Sequence, residues 1–191
     1  MFHINAKLIK IVEVMPKYYK IVLSCPQFAR IAEPGQFMNI KVSRGIEPFL
    51  RRPFSIHRVK GPDIEIIFEV VGKGTQLLSR RKAGELLDII GPLGNGFSVS
   101  GSRLAVLAAG GIGVAPLFFL AEQLMRKPQT ANRKPLVLIG SKKGSEVLCE
   151  KEFKDLGCEV KIATDDGSKG FKGKVTDLLK SILVSRLTSH V

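Results

Sequence analysis

The chain has 191 residues, 45% of them apolar, which suffices for one ordinary hydrophobic core or two small ones and argues against a disordered polymer. Lysine and arginine outnumber aspartate and glutamate 30 to 17, a formal charge of +13. The basic residues nevertheless sit in short, separate clusters (Arg51-Arg52, Arg80-Arg81-Lys82, Lys142-Lys143) without an aromatic platform or a nucleic-acid motif, so the charge is read as solvated surface, cofactor phosphates or an acidic protein partner, and no nucleic acid is expected.

Near the N-terminus His3, Asn5 and Lys7 interrupt the apolar residues, so the segment lacks the apolar run of a signal peptide. The longest apolar stretch, Leu104 to Leu120, contains Gly110, Gly111, Gly113 and Pro116, which predicts a turn rather than a membrane span. A cytoplasmic protein with no membrane contact is expected. The three cysteines, Cys25, Cys149 and Cys158, lack the close spacing of zinc or iron–sulfur ligands and read as reduced thiols, so no metal site is predicted.

From Asn5 to Val14 apolar and polar residues alternate. Short β-rich runs follow at Lys20 to Ser24, Gln36 to Val42, Phe54 to Val59, Ile64 to Val71 and Glu85 to Ile90, punctuated by Pro16, Pro26, Pro34-Gly35, Gly61-Pro62-Asp63 and a Gly72-Lys73-Gly74 turn. About six short antiparallel strands of this kind predict a β-barrel. After Gly91-Pro92-Leu93-Gly94-Asn95-Gly96 the pattern changes. Continuous apolar runs at Arg103 to Ala109, Pro135 to Gly140 and Glu159 to Ala163 read as buried parallel strands. Helical patterns lie at Ala115 to Arg126, near Ser145 to Leu156, and from Thr176 onward. Strand–helix alternation of this kind is a nucleotide-binding half of the doubly wound type. The expected organisation is an antiparallel β-barrel over residues 1–97 and a parallel-sheet α/β domain over 98–191.

Three segments could carry chemistry. Ala109-Gly110-Gly111-Ile112-Gly113-Val114-Ala115-Pro116 lies between a strand and a helix, where glycines let backbone N–H groups approach a pyrophosphate; a turn serving only strand–helix packing is the alternative. Leu50-Arg51-Arg52-Pro53-Phe54-Ser55 offers a guanidinium fork and a hydroxyl to an anion, or is merely a basic strand edge blunted by proline. Val71-Gly72-Lys73-Gly74-Thr75 could wrap a second phosphate, or is a plain hairpin turn.

In this order and spacing these segments, with Pro34-Gly35-Gln36-Phe37, Gly91 to Gly96 and Ala163-Thr164-Asp165-Asp166-Gly167-Ser168, resemble the ferredoxin-NADP reductase superfamily. Within it they resemble the electron-transfer subunits of dihydroorotate dehydrogenase B. The resemblance covers nearly the whole chain. It implies FAD on the barrel, with Arg52, Pro53, Phe54 and Ser55 around the flavin and its phosphates, Ile67, Phe68 and Glu69 beside the flavin, and Gly74 and Thr75 at the pyrophosphate. Some relatives carry a basic residue where this chain has Glu69. Gly110, Gly111 and Gly113 would take the nicotinamide nucleotide, with NAD as electron acceptor.

The resemblance further implies a flavin- and NAD-dependent oxidoreductase subunit in pyrimidine biosynthesis. Its partner would be an FMN-bearing, dihydroorotate-oxidising catalytic subunit, in a heterotetramer. The chemistry belongs to the cofactors, and no residue reads as an acid–base catalyst. Relatives continue into a Cys-Gly-Pro segment and cysteines that ligate a 2Fe-2S cluster; this sequence stops at Val191 before both, and Cys149 and Cys158 do not match those ligands. The nucleotide domain is therefore expected to be incomplete and the cluster absent. Two alternatives stand beside this reading: a flavin reductase subunit for ferredoxin or sulfur-compound electron transfer, and a flavin-binding docking module without turnover. Ser141, Lys142 and Lys143 follow the second parallel strand, where a basic residue could meet a 2′-phosphate, so NADP stays open beside NAD.

Overall fold

A computed structural model describes residues 2–43, 45, 47–98, 105–126 and 134–188, with the side chains of 186–188 left aside. The described residues form two compact units. One holds those up to 98 together with 115–120, the other 105–114 and those from 121 onward.

The first unit is built on strands β1 (Phe2–Met15), β2 (Tyr18–Ser24), β3 (Phe37–Ile40), β4 (Arg52–Ser55), β5 (Arg58–Lys60), β6 (Asp63–Glu69) and β7 (Leu86–Leu93), with short helices α1 (Pro26–Ala29) and α2 (Lys73–Ser79). The strands make one antiparallel sheet in the order β4-β3-β7-β1-β2-β6-β5. Its core follows the period of two that the strands dictate: Ile21 and Leu23, Met38 and Ile40, Ile64 and Ile66, and Leu87 and Ile89 all point inward and are buried.

The run expected as a single strand, Phe54 to Val59, is two strands that switch partner. Ser55 still pairs with Phe37 of β3, and Ile56 N–H donates to Gln36 O at 3.0 Å. His57 N–H instead donates to Glu65 O of β6 at 2.9 Å, and Arg58 pairs with Glu65. One ladder cannot serve both neighbours, so the strand breaks. Because the two edge strands are consecutive in the chain, residues 52–60 close the curled sheet on itself. The ring of Phe54 on β4 meets that of Phe68 on β6 at 5.5 Å, edge to face.

The Gly72-Lys73-Gly74 turn, for which a plain hairpin was the alternative to a phosphate site, is a helix start. Thr75 Oγ1 accepts from the N–H groups of Val71 (2.9 Å) and Gly72 (3.2 Å), capping α2 from its third residue. A hydroxyl three residues after the capping glycine was the local signal for it.

The second unit carries β8 (Val106–Gly110), β9 (Leu136–Ser141), β10 (Glu159–Thr164) and β11 (Phe171–Lys172), all parallel, in the order β11-β10-β9-β8. A 3-10 turn, Gly111–Val114, leads from β8 into α3 (Ala115–Arg126); α4 (Glu150–Asp155) and α5 (Val175–Thr188) follow β9 and β11. The expected starting residues of the first parallel strand, Arg103 and Leu104, lie outside the described residues. The helix expected near Ser145 starts only at Glu150, after a 3-10 turn at Gly144–Glu146. The two-residue β11 carries no pattern long enough to read. Leu178 and Ile182 of α5 pack on Leu136, Leu138 and Ala163. Gly140 permits this approach, since a Cβ there would lie 2.9 Å from Val175 Cβ. Among the described residues no helix is long and apolar enough to cross a membrane.

Candidate functional site

In the first unit the fold joins two of the segments singled out in the sequence. Arg52, on edge strand β4, extends its side chain to α2, where a Cβ added at Gly74 would lie 3.1 Å from Arg52 Nε. The same guanidinium donates from Nη1 to Leu50 O at 2.7 Å, which fixes its course. Across this contact Lys73 Nζ pairs with Glu47 Oε2 at 3.0 Å, and a Cβ at Gly72 would meet nothing within 4 Å. The Arg52 side chain thus packs against the first turn of α2, which a side chain at Gly74 would block.

Strand alternation divides the remaining candidates. Arg52 and Phe54 share the face of their partners Ile40 and Met38, which is the core face, whereas Pro53 and Ser55 take the other. Arg52 and Ser55 therefore leave the strand on opposite faces and do not converge on one anion as a pair. On β6 Phe68 points into the core and stacks on Tyr19 at 5.8 Å, while Ile67 and Glu69 lie on the opposite face. Thr75 Oγ1, besides its two capping contacts, donates to Gly72 O at 3.1 Å, so the hydroxyl holds the turn.

Arg51 has a structural role. It donates from Nη2 to both oxygens of Asp88 at 2.9 Å and from Nη1 to Asp88 O at 2.9 Å; His3 Nε2 donates to the same carboxylate at 2.6 Å. Partial burial works against the charge on Asp88, but the hydrogen bonds from Arg51 and His3 outweigh it and hold the carboxyl below its ordinary range. A depressed folded-state pKa stabilises fully above the unfolded value and is lost as pH falls through the folded one. Asp88→Asn is therefore expected to cost roughly 1 kcal/mol in urea melts at neutral pH, and nothing at a pH low enough to protonate the carboxyl in the folded as well as the unfolded state. An equal cost at both pH values would remove the electrostatic explanation.

Sequence reasoning assigned nothing to His57. It is fully buried, donates from Nδ1 to Ala115 O at 2.7 Å and stacks on Phe118 at 5.0 Å, anchoring the start of α3 in the first unit. A single histidine inside a strand signal carries no mark of such a role.

In the second unit the strand register aligns three carboxyl ends: Gly110 of β8 beside Gly140 of β9, and Ser141 of β9 beside Thr164 of β10. Ligands of open parallel sheets bind along this edge. Cβ atoms added at Gly110 and Gly111 would meet nothing within 4 Å, and one at Gly113 only Ala109 Cβ at 3.9 Å. The glycines thus border open space and do not serve close packing, except that Gly111, at φ +51°, also needs its conformational freedom. The next two loops are laced together: Asp165 N–H donates to Ser141 O at 3.1 Å, Gly144 N–H to Ser168 Oγ at 2.7 Å, and Ser168 Oγ to Asp166 Oδ1 at 2.6 Å. The Ser168 contacts hold the exposed Asp166 carboxyl below its ordinary pKa. Lys142 and Lys143 are exposed beside it.

No family model matches the chain. It is similar to the dihydroorotate dehydrogenase B (NAD(+)) electron transfer subunit of Desulforamulus reducens, with 43% identity over 190 residues, covering 97% of this chain and 70% of that protein. The subunits of the same name from Bacillus caldolyticus (39% over 174 residues, covering 88% and 65%) and Geobacillus kaustophilus (38% over 173 residues, covering 88% and 65%) are also similar. The chain spans about two thirds of the length of these relatives. Among solved structures, an NADH-dependent reduced ferredoxin-NADP oxidoreductase studied for flavin-based electron bifurcation matches with a TM-score of 0.80 at 27% identity, covering 94% of this chain and 63% of that one. A ferredoxin NADP+ reductase from Neisseria gonorrhoeae with bound FAD and NADP gives a TM-score of 0.78 at 17% identity, covering 96% and 78%, a likeness of fold alone.

Proposed function

This chain belongs to the family of dihydroorotate dehydrogenase B electron-transfer subunits, and we propose from that membership that it holds FAD on residues 1–97 and NAD on residues 98–191. In this reading it passes electrons to NAD from an FMN-bearing, dihydroorotate-oxidising catalytic subunit, in a cytoplasmic heterotetramer of pyrimidine biosynthesis. The observation that carries the reading is the approach of Arg52 to Gly74, two segments distant in sequence that each suited a phosphate and that meet in the fold.

Bound FAD supplies hydride exchange with a nicotinamide and single-electron exchange with a further carrier. The chain's own residues bind and orient. Arg52 would offer its guanidinium to the diphosphate, and Gly74 and Thr75, in the first turn of α2, would offer backbone N–H groups, Thr75 through its backbone because its hydroxyl is engaged in the cap. Pro53, Ser55, Ile67 and Glu69 would line the flavin from the outer face of the sheet, and Phe54 and Phe68 would support them from the core. Gly110, Gly111 and Gly113 would admit the nucleotide's pyrophosphate to the backbone after β8.

Arg52→Ala is expected to weaken FAD by about 1.5–3 kcal/mol, the range of a hydrogen bond to a charged group. The check is a flavin titration of the deflavinated chain, and wild-type affinity in the variant would remove the assignment. Electron passage is tested by NADH-dependent reduction of an artificial acceptor. The partner is tested by dihydroorotate-dependent NAD reduction after the catalytic subunit is added.

A further inference from the structure

His57 is a fully buried polar side chain of the first unit, at the point where the chain leaves β4 for β5. Its Nδ1 lies 2.7 Å from Ala115 O, and because a carbonyl oxygen can only accept, this nitrogen carries the proton. The ring stacks on Phe118 at 5.0 Å, and the Arg58 guanidinium lies 5.4 Å from the same phenyl ring. Two consecutive residues therefore hold the first turn of α3. That turn starts where the glycine turn ends, since Gly111–Val114 lead directly into Ala115. Residues 115–120 belong to the first unit, whereas 105–114 belong to the second.

The glycine turn has little of its own to fix it. Cβ atoms added at Gly110 and Gly111 would meet nothing within 4 Å, one at Gly113 only Ala109 Cβ at 3.9 Å, and glycine backbone is the most permissive there is. Its course is set at its ends, by the ladder that pairs Gly110 with Gly140 and by Ala115. At the second end Ala115, Phe118 and Phe119 are buried, but apolar burial has no direction and leaves a helix free to shift by fractions of an ångström. The bond from His57 is directional. We propose that His57 is a positioning residue for the nicotinamide nucleotide: by fixing Ala115 O it sets where the backbone N–H groups of the preceding turn stand to receive the pyrophosphate. The inference rests on the nucleotide reading above and extends it to a residue that acts only through α3. Small displacements of positioned groups carry large penalties, so the effect on the ligand exceeds the effect on the fold.

The test is a calorimetric titration of the flavin-loaded chain with NAD, for wild type, His57→Asn, His57→Gln and His57→Phe, alongside flavin content and thermal melting. An asparagine amide N–H stands roughly where Nδ1 does and a glutamine one where Nε2 does, while phenylalanine keeps the stacked ring and loses the donor. His57→Gln and His57→Phe are expected to weaken NAD about tenfold, and His57→Asn to stay within about threefold of wild type, with the flavin retained in all three. If His57→Phe does not fold, the contrast between Asn and Gln decides. Wild-type NAD affinity in the folded Gln and Phe variants would overturn the proposal, and so would equal effects of Asn and Gln. Parallel loss of NAD and flavin would overturn it too, leaving His57 a role in folding alone. Failure of the wild-type chain to bind NAD at all would instead sink the nucleotide reading on which the proposal rests.

Discussion

Gly110→Val and Gly113→Val are expected to lower the affinity for NADH by about a hundredfold or more, with the flavin still bound and the melting temperature unchanged. The expected loss is steric and electrostatic in origin. Both positions border open space, so an added Cβ meets no protein atom that must move. It would occupy the volume through which, in the proposed reading, a pyrophosphate reaches backbone N–H groups at the end of β8. Two charge-assisted hydrogen bonds at about 1.5–3 kcal/mol each account for the size of the loss. Gly111 is a poorer probe, because its φ of +51° would strain any larger residue. Nucleotide binding read by titration, flavin content and thermal melting together separate the outcomes. Parallel loss of NADH, flavin and stability would mean that the glycines serve folding.

Phe28→Ala is expected to cost about 3–5 kcal/mol in urea denaturation, the range of a fully buried Phe truncation. Phe28 lies on α1, is inaccessible to solvent, and stacks on Phe2 at 6.2 Å. Its ring also lies against β7, where a Cβ at Gly91 would come within 2.8 Å of it. The surrounding strands are held in register by their ladders and cannot collapse into the space, so the cavity penalty adds to lost burial. For a protein with about 5–15 kcal/mol of total stability, such a loss leaves little reserve. A cost below about 1 kcal/mol would mean that α1 adds little to the core. Gly91→Val should destabilise by the opposite route, forcing the ring and Met38 apart.

Local pattern alone carried much of this protein. Alternation from Asn5 onward, apolar runs after Gly96 and the helix at Ala115 to Arg126 each reflect a periodicity of a few residues, and the antiparallel and parallel sheets follow from them. The glycine turn after β8 and the basic Arg52 segment were also legible as phosphate-suited chemistry, because residue type suffices to state what they can bind. Tertiary structure decided everything that depends on register or on meetings between distant segments. It sent Arg52 and Ser55 to opposite faces, turned Phe68 inward, and broke the run from Phe54 to Val59 where the chain changes partner at Ile56 and His57. It engaged the Thr75 hydroxyl in capping α2 and brought Arg52 against Gly74. A side chain's face is set by which neighbour its strand pairs with, and a contact across the barrel by how far the sheet curls; neither quantity is local, so no window of sequence contains it.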